Sequence, residues 1–314
     1  MKIKSNIPNQ DVAPYRIRSM RAMPPSEMYR SGLLLVTSGC DWSCTFCNFY
    51  NGEPSIRRRS TEDLRGDIDA SIPFWLSYVA FATETGKIKS MFLGGSDALV
   101  LPTQDLLDVL RYAYSKVPGL ESVSCYARTT GVLDKGQDMR ELRDRGLVRV
   151  YVGLESGDTD VLRQIKKGHR GSVETVTGEQ NTEAGKLLKN SGIEVGAMII
   201  LGLGGKERSE QHVTSTASIL NEIDPEEITL SQLGFGASPL TRQYTKEPEK
   251  FLSEREMYIE AIDMIRRLDE DLESEIIITS PPCSNVLVRG KRRKVIKALE
   301  EMRDDVRVQI PRCG

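Results

Sequence analysis

From residue 33 onward, short uninterrupted apolar runs alternate with longer stretches in which apolar side chains return every three to four residues. Apolar runs read as strands buried on both faces of a parallel sheet, and the 3.6-residue repeat reads as amphipathic helix. Strands are expected at 33–36, 89–93, 121–128, 147–154, 193–201 and 227–233. Helices are expected at about 60–82, 102–116, 138–145, 158–167 and 175–190, and from the 202–205 glycine turn to 223. Ser60-Thr61-Glu62-Asp63 has the form of a capping box, and Gly146 and Gly192 stand where helices need a stop. Six strand–helix units in succession imply an α/β protein, a partial (β/α)6 barrel with its active site at the C-terminal strand ends.

Past Gly236 the rhythm loosens into a helix at 253–268, a strand at 275–279 and a short helix at 293–302. Residues 1–31, polar and proline-containing, read as an N-terminal strap. Residues 32–238 then form the barrel, and 239–314 form a C-terminal α/β extension packed on it.

Composition narrows the function without changing this picture. The 314 residues carry a formal net charge of −2, which argues against a protein devoted to holding nucleic acid. The basic clusters Arg57–Arg58–Arg59, Lys166–Lys167–Gly168–His169–Arg170 and Lys291–Arg292–Arg293–Lys294 read first as solvated faces, although they could hold an anionic substrate. No apolar run approaches the ~20 residues that span a bilayer. The first twenty residues lack the apolar stretch of a signal peptide, so a cytoplasmic protein with no membrane partner is expected.

Six cysteines accompany only two histidines, and three of the cysteines crowd into Cys40-Asp41-Trp42-Ser43-Cys44-Thr45-Phe46-Cys47. In a chain without an export signal such a cluster points to metal or redox chemistry. The C-x3-C-x2-C spacing can wrap one [4Fe–4S] cubane, and three thiolates leave one of its four irons open. An open metal position is what a reactive site requires. The amino and carboxylate groups of S-adenosylmethionine (SAM) could chelate that iron. Structural zinc would need a fourth ligand, and neither His169 nor His212 follows a ligand spacing. A ferredoxin would want a fourth local cysteine, which Asn48-Phe49-Tyr50 does not supply.

On these residues the sequence resembles the radical SAM superfamily, whose hallmark C-x3-C-x-aromatic-C is completed here by Phe46. The resemblance extends over about residues 31–238. Gly94-Gly95-Ser96-Asp97 is similar to the superfamily's glycine-pair segment, which implies that Gly94, Gly95 and Ser96 receive the SAM amino group. Val152-Gly153-Leu154-Glu155-Ser156-Gly157, with Val161-Leu162-Arg163 and Lys167, resembles the branch of oxygen-independent coproporphyrinogen oxidases, Elongator-type enzymes and methylthiotransferases. That likeness implies that Glu155 contacts SAM and that Lys167 meets its carboxylate. By itself Lys167 would read as a solvated helix end. The segment Gly196-Ala197-Met198-Ile199-Ile200-Leu201-Gly202 is similar to the fifth-strand motif that packs on adenine, which adds Ile199 and Gly202. Residues 202–207 and 220–224, with Ser284-Asn285, are similar to uncharacterised radical SAM proteins named loosely as iron–sulfur oxidoreductases. Arg128, at the end of the third strand, is a contact for SAM or an anionic substrate, or else a salt-bridge partner.

The resemblance implies an oxygen-sensitive enzyme that cleaves SAM reductively to a 5′-deoxyadenosyl radical. That radical abstracts hydrogen from a small-molecule or other unidentified substrate, with electrons from a reductant such as flavodoxin or ferredoxin. No cobalamin-binding, acetyltransferase-like or long C-terminal domain of the relatives is recognisable, so their substrates do not transfer. Three further readings stay open. Cys125, Cys283 and Cys313 could hold a second cluster, as in sulfur-inserting radical enzymes, or be three unrelated thiols. A tRNA-modifying enzyme, or a non-catalytic binding protein on the same barrel, would each use the basic clusters or the bare fold.

Overall fold

A computed structural model describes residues 23–27, 31–47, 55–82, 88–168, 175–234, 238–280 and 285–305. The strands are β1 (Ser31–Leu35), β2 (Thr37–Ser38), β3 (Arg57–Arg58), β4 (Ser90–Gly94), β5 (Ser122–Ala127), β6 (Leu147–Glu155), β7 (Glu194–Leu201), β8 (Glu227–Gln232), β9 (Glu275–Ser280) and β10 (Asn285–Gly290). All but β2 and β3 form one eight-stranded sheet in the order β1-β4-β5-β6-β7-β8-β9-β10. Neighbours from β1 to β9 run parallel, and only β10 is antiparallel. This is the expected partial barrel with one addition. The strand placed in the extension is hydrogen-bonded along β8, so the parallel sheet has seven strands rather than six.

Helices cover one face of the sheet. Leu34, Leu93, Cys125, Val150, Val152, Ala197, Ile199 and Ile228 share that core with helical residues such as Leu106, Leu188, Leu220 and Ile265. The opposite face carries a smaller cluster of Phe92 and Tyr151 with Leu33, Tyr126 and Met198, closed by Met23. Successive strand residues point to opposite faces, so this parity assigns each side chain to the helical layer or to the barrel interior. Interior rings touch edge-on, with Phe92 and Tyr126 centroids 4.8 Å apart.

The segment before β1 seals the N-terminal end of the barrel. Ser26 bonds Tyr151 (2.7 Å) and Glu227 (3.1 Å), and Glu27 accepts from Ser31 and from Ser124 (3.2 Å). Arg149 reaches Glu227 at 3.2 Å from the same end. These buried polar groups are satisfied by one another, as burial requires. The other end is left for the cysteine loop.

Helix bounds follow the expected punctuation. Ser60 accepts from the Asp63 amide (3.1 Å) ahead of the helix Thr61–Ala82, and Thr177 with Gln180 completes a capping box for Gly178–Asn190. Two α-helices among the described residues have no counterpart in the sequence pattern. The helix Thr129–Lys135 has the sequence TTGVLDK, rich in weak helix formers. The helix Pro239–Lys246 is only eight residues long, and its apolar pair Leu240 and Tyr244 is half-buried against the core, too short a repeat to stand out in the sequence.

Candidate active site

The cysteine loop leaves β1 at the C-terminal end of the sheet, and four neighbours hold it there. Val36 N–H bonds Gly94 O (3.0 Å), Ser96 Oγ donates to Gly39 O (2.7 Å), Thr45 N–H bonds Ile165 O (2.9 Å), and Leu240 N–H bonds Thr45 O (2.9 Å). Each cysteine carries a free thiol; Cys44 is buried, while Cys40 and Cys47 are half-buried. Among the described residues no three His, Cys, Asp or Glu side chains are gathered as around a single ion. A cubane takes each thiolate on a separate iron and spreads its ligands more widely. Three thiols on one anchored loop suit that donor set.

The glycine pair fits a structural need of this loop. At Gly95, with φ +126°, a Cβ would collide with Thr37 Oγ1 and lie 2.8 Å from Thr37 O. At Gly94 it would lie 2.8 Å from Leu33 Cδ1. The strand end therefore packs directly on the chain entering the loop. Gly95→Ala is expected to destabilise the chain by about 2–4 kcal/mol, from overpacking plus a disallowed φ, with a matching loss of retained iron. Urea unfolding and iron quantitation check both.

Beyond the pair, Asp97 is fully buried and accepts from Leu99 N–H (3.0 Å) and Arg128 Nε (2.9 Å). Arg128 also bonds Asp41 inside the cysteine loop, and its guanidinium lies 4.6 Å from the Trp42 ring centre. Burial pulls Arg128 down, but Asp97 and Asp41 outweigh it and hold the guanidinium above its ordinary pKa. Asp97 is pushed up by burial against the pull of Arg128. Arg128 thus makes a largely buried salt bridge that ties β4 and β5 to the cysteine loop. Gly131 leaves room for the Asp97 carboxylate, which an added Cβ would strike.

At the end of β6 the register with β7 slips by one residue between Gly153 and Glu155, and Glu155 adopts φ +63°. This bulge turns the Glu155 carboxylate toward Lys167, whose Nζ is 2.8 Å from Oε1; both side chains are buried. Gly153 makes the space: a Cβ there would lie 2.6 Å from Glu155 Oε1 and 3.1 Å from Lys167 Nζ. The Lys167 ammonium is 5.4 Å from the Trp42 ring centre and 5.8 Å from that of Phe46. Burial pulls Lys167 down, but Glu155, Cys44 and Cys40 overcome this and keep its pKa above the ordinary value. Burial pushes the Cys44 thiol up, while Lys167 and the Gly168 N–H favour its thiolate. Lys166 is exposed, so the basic run there divides into a solvated residue and a buried one.

Gly202 (φ +83°) ends β7, and its N–H is held at 2.6 Å by Glu260 of the helix Glu254–Arg266. Glu260, itself buried, also accepts from Ser209 (2.6 Å). Ile199 is wholly buried in the helical layer, whereas Met198 beside it faces the barrel interior. Any contact from Ile199 toward the interior is therefore made by its backbone. Cys125 likewise points into the helical layer, fully buried, and burial pushes its thiol up. Cys283, Cys313, His169 and Arg170 lie outside the described residues.

His212 sits beneath the β6 turn and shares a 2.7 Å hydrogen bond between Nδ1 and Ser156 Oγ. Burial holds this imidazole below its ordinary pKa, against the opposing pull of Glu260 and Asp158. A base depressed in the folded state binds its proton more readily when unfolded. Its stabilising contribution is complete above about pH 6.5 and is lost as pH falls through the folded value. Unfolding free energy of the cluster-free chain should drop by up to about 1.4 kcal/mol per pH unit in that window, and His212→Asn should flatten the profile. Urea titrations at about pH 7.5 and about pH 5.5 measure it.

The family model described as Radical SAM superfamily matches residues 34–217, more than half of the chain. The chain belongs to the radical SAM superfamily. Hopanoid C-2 methylase of Rhodopseudomonas palustris (strain TIE-1) is 24% identical over 178 residues, covering 56% of this chain and 30% of that protein. Among solved structures, HydG, a maturase of the [FeFe]-hydrogenase, superposes with a TM-score of 0.55 and 15% identity. That match covers 94% of this chain and 61% of HydG. The radical SAM methyltransferase TsrM of Kitasatospora setae, solved with cobalamin and a [4Fe–4S] cluster, gives 0.54 at 15% identity, covering 71% of this chain and 41% of TsrM. The chain thus spans less than two-thirds of the length of each. Enzymes of this superfamily use a [4Fe–4S] cluster and SAM, act on substrates and need a reductant. No helix among the described residues is long and apolar enough to cross a membrane.

Proposed function

We propose that Cys40, Cys44 and Cys47 hold the [4Fe–4S] cluster, and that SAM binds beside it across the ends of β4, β6 and β7 for hydrogen abstraction from a substrate above the barrel. The observation that carries this reading is the buried Glu155–Lys167 pair lodged against the cysteine loop. When bound, the cluster supplies the electron that cleaves SAM to a 5′-deoxyadenosyl radical. The chain's own residues bind, orient and insulate.

Lys167 contributes a positive charge where thiolates gather, which favours their ionised form. Its ammonium has three donors, and Glu155 takes one, so others are open to the SAM carboxylate. Glu155 offers the matching acceptor for an ammonium or hydroxyl group of SAM. Gly94 and Gly95 let the backbone approach closely, Ser96 fixes the loop at Gly39, and Phe46 gives the ligand an apolar wall. Gly202 and the Ile199 backbone form the far edge, braced by Glu260 from the C-terminal region. Arg128 acts through Asp41 and Asp97 to hold the loop. Barrel and extension work as one unit in this reading, since residues from 239 onward touch both the cysteine loop and the β7 turn.

The test is anaerobic reconstitution with iron and sulfide, followed by SAM and dithionite. About four irons per chain and release of 5′-deoxyadenosine with methionine are expected. Tightly bound zinc, or a cubane whose EPR signal ignores added SAM, would refute the assignment. An iron content well above four would instead point to a second cluster.

A further inference from the structure

We propose that Asn181 is a positioning residue for the SAM site, holding Glu155 in the conformation that aims its carboxylate at Lys167. Asn181 is fully buried in the helix Gly178–Asn190. Its Nδ2 donates to Leu154 O and to Ser156 O, each at 3.0 Å, so one amide grips the carbonyls on both sides of Glu155. Its Oδ1 accepts from Thr129 Oγ1 at 2.6 Å. The amide orientation is thereby set, because the reverse would place its oxygen against two carbonyl oxygens.

Glu155 needs such a grip. A non-glycine residue at φ +63° is strained and persists only where its surroundings over-determine it. The following turn is tied down in the same way: Ser156 Oγ shares its hydrogen bond with His212, and Gly157 N–H bonds Thr216 Oγ1 (2.9 Å). Only Asn181, however, among the described side chains, bonds the two carbonyls that flank Glu155. Thr129 follows Arg128 directly, so the same amide also fixes the end of β5 relative to the end of β6. Without these bonds the bulge can relax toward regular strand geometry, which swings the Glu155 side chain away from Lys167.

This inference rests on the reading that Glu155 and Lys167 receive SAM. Asn181→Leu keeps the approximate volume and removes all three hydrogen bonds; Thr129→Val is milder and removes one. Reconstituted wild type, both variants and Glu155→Gln are compared by equilibrium dialysis against SAM and by EPR of the reduced cluster with and without SAM. Asn181→Leu should weaken SAM binding about tenfold and Thr129→Val two- to fivefold, with iron content and the SAM-free spectrum unchanged. A merely structural role would lower the melting temperature and leave SAM affinity alone, and that result overturns the proposal. Should Asn181→Leu fail to fold, wild-type affinity in Thr129→Val overturns it as well. Weakened binding in Glu155→Gln alone removes the positioning role and keeps the site; unchanged binding in Glu155→Gln removes both.

Discussion

Cys44→Ala is expected to abolish cluster binding, and 5′-deoxyadenosine formation should fall by more than about 100-fold, beyond what loss of an outer-shell contact to a metal ligand costs. Cys44 is the buried member of the triad, next to the Lys167 charge and the Gly168 N–H, on a loop pinned at Thr45 to Ile165. Removing its sulfur leaves two thiolates for a cluster that needs three protein ligands to stay while one iron remains open to SAM. Serine at the same position keeps the shape but offers a hard oxygen where a soft sulfur is required, so it should fare no better. Iron and sulfide content after anaerobic reconstitution, together with the absorption and EPR of the product, give the readout. A Cys44→Ala protein that retains wild-type iron would disprove the ligand assignment. Cys125→Ala is the matching contrast: it should retain full iron content and lose only a small buried group from the helical layer.

Lys167→Met should produce the largest stability loss of any single change in the site. It leaves the Glu155 carboxylate buried without its partner, a cost of about 3–5 kcal/mol. The double variant Glu155→Gln/Lys167→Met removes the uncompensated charge along with the pair and should recover most of that loss, because replacing both partners is close to neutral. Urea unfolding of the cluster-free chains separates the two cases. SAM affinity should stay weak in both, since each lacks the ammonium. If the single and double variants unfold alike, the pair makes no buried electrostatic contribution, and the observation on which the site assignment rests is withdrawn.

Local chemistry was readable in the chain because its causes are local. The cysteine spacing, the glycine pair at the end of β4 and the punctuation of the helices depend on residues a few positions apart, and the structure sets the glycine pair directly against the chain that enters the cysteine loop. Lys167 was different: from its neighbours it looks like part of a solvated basic run, and only the β6 bulge and Gly153 make a buried space for it. Arg128, Asp97 and Asp41 come from three separate segments, so no spacing could have shown that they form one brace for the loop. Asn181 carries no signal at all in the sequence, where it is a polar residue near the start of an amphipathic helix. The strand at 275–279 was expected, but its place as the seventh parallel strand was not, because the two helices at Pro239–Lys246 and Glu254–Arg266 stretch its crossover beyond the rhythm of the first six.

The sequence by itself determined the class of chemistry and the repeating strand–helix build, because ligand spacing, periodicity and turn residues act over a few bonds or one or two turns. Tertiary structure decided which charges are buried and paired. It also turned Ile199 and Cys125 away from the barrel interior and enlisted the C-terminal region to brace the β7 turn. Those outcomes follow from desolvation and from hydrogen bonds between distant segments, and such energies exist only once the sheet has brought the strand ends together.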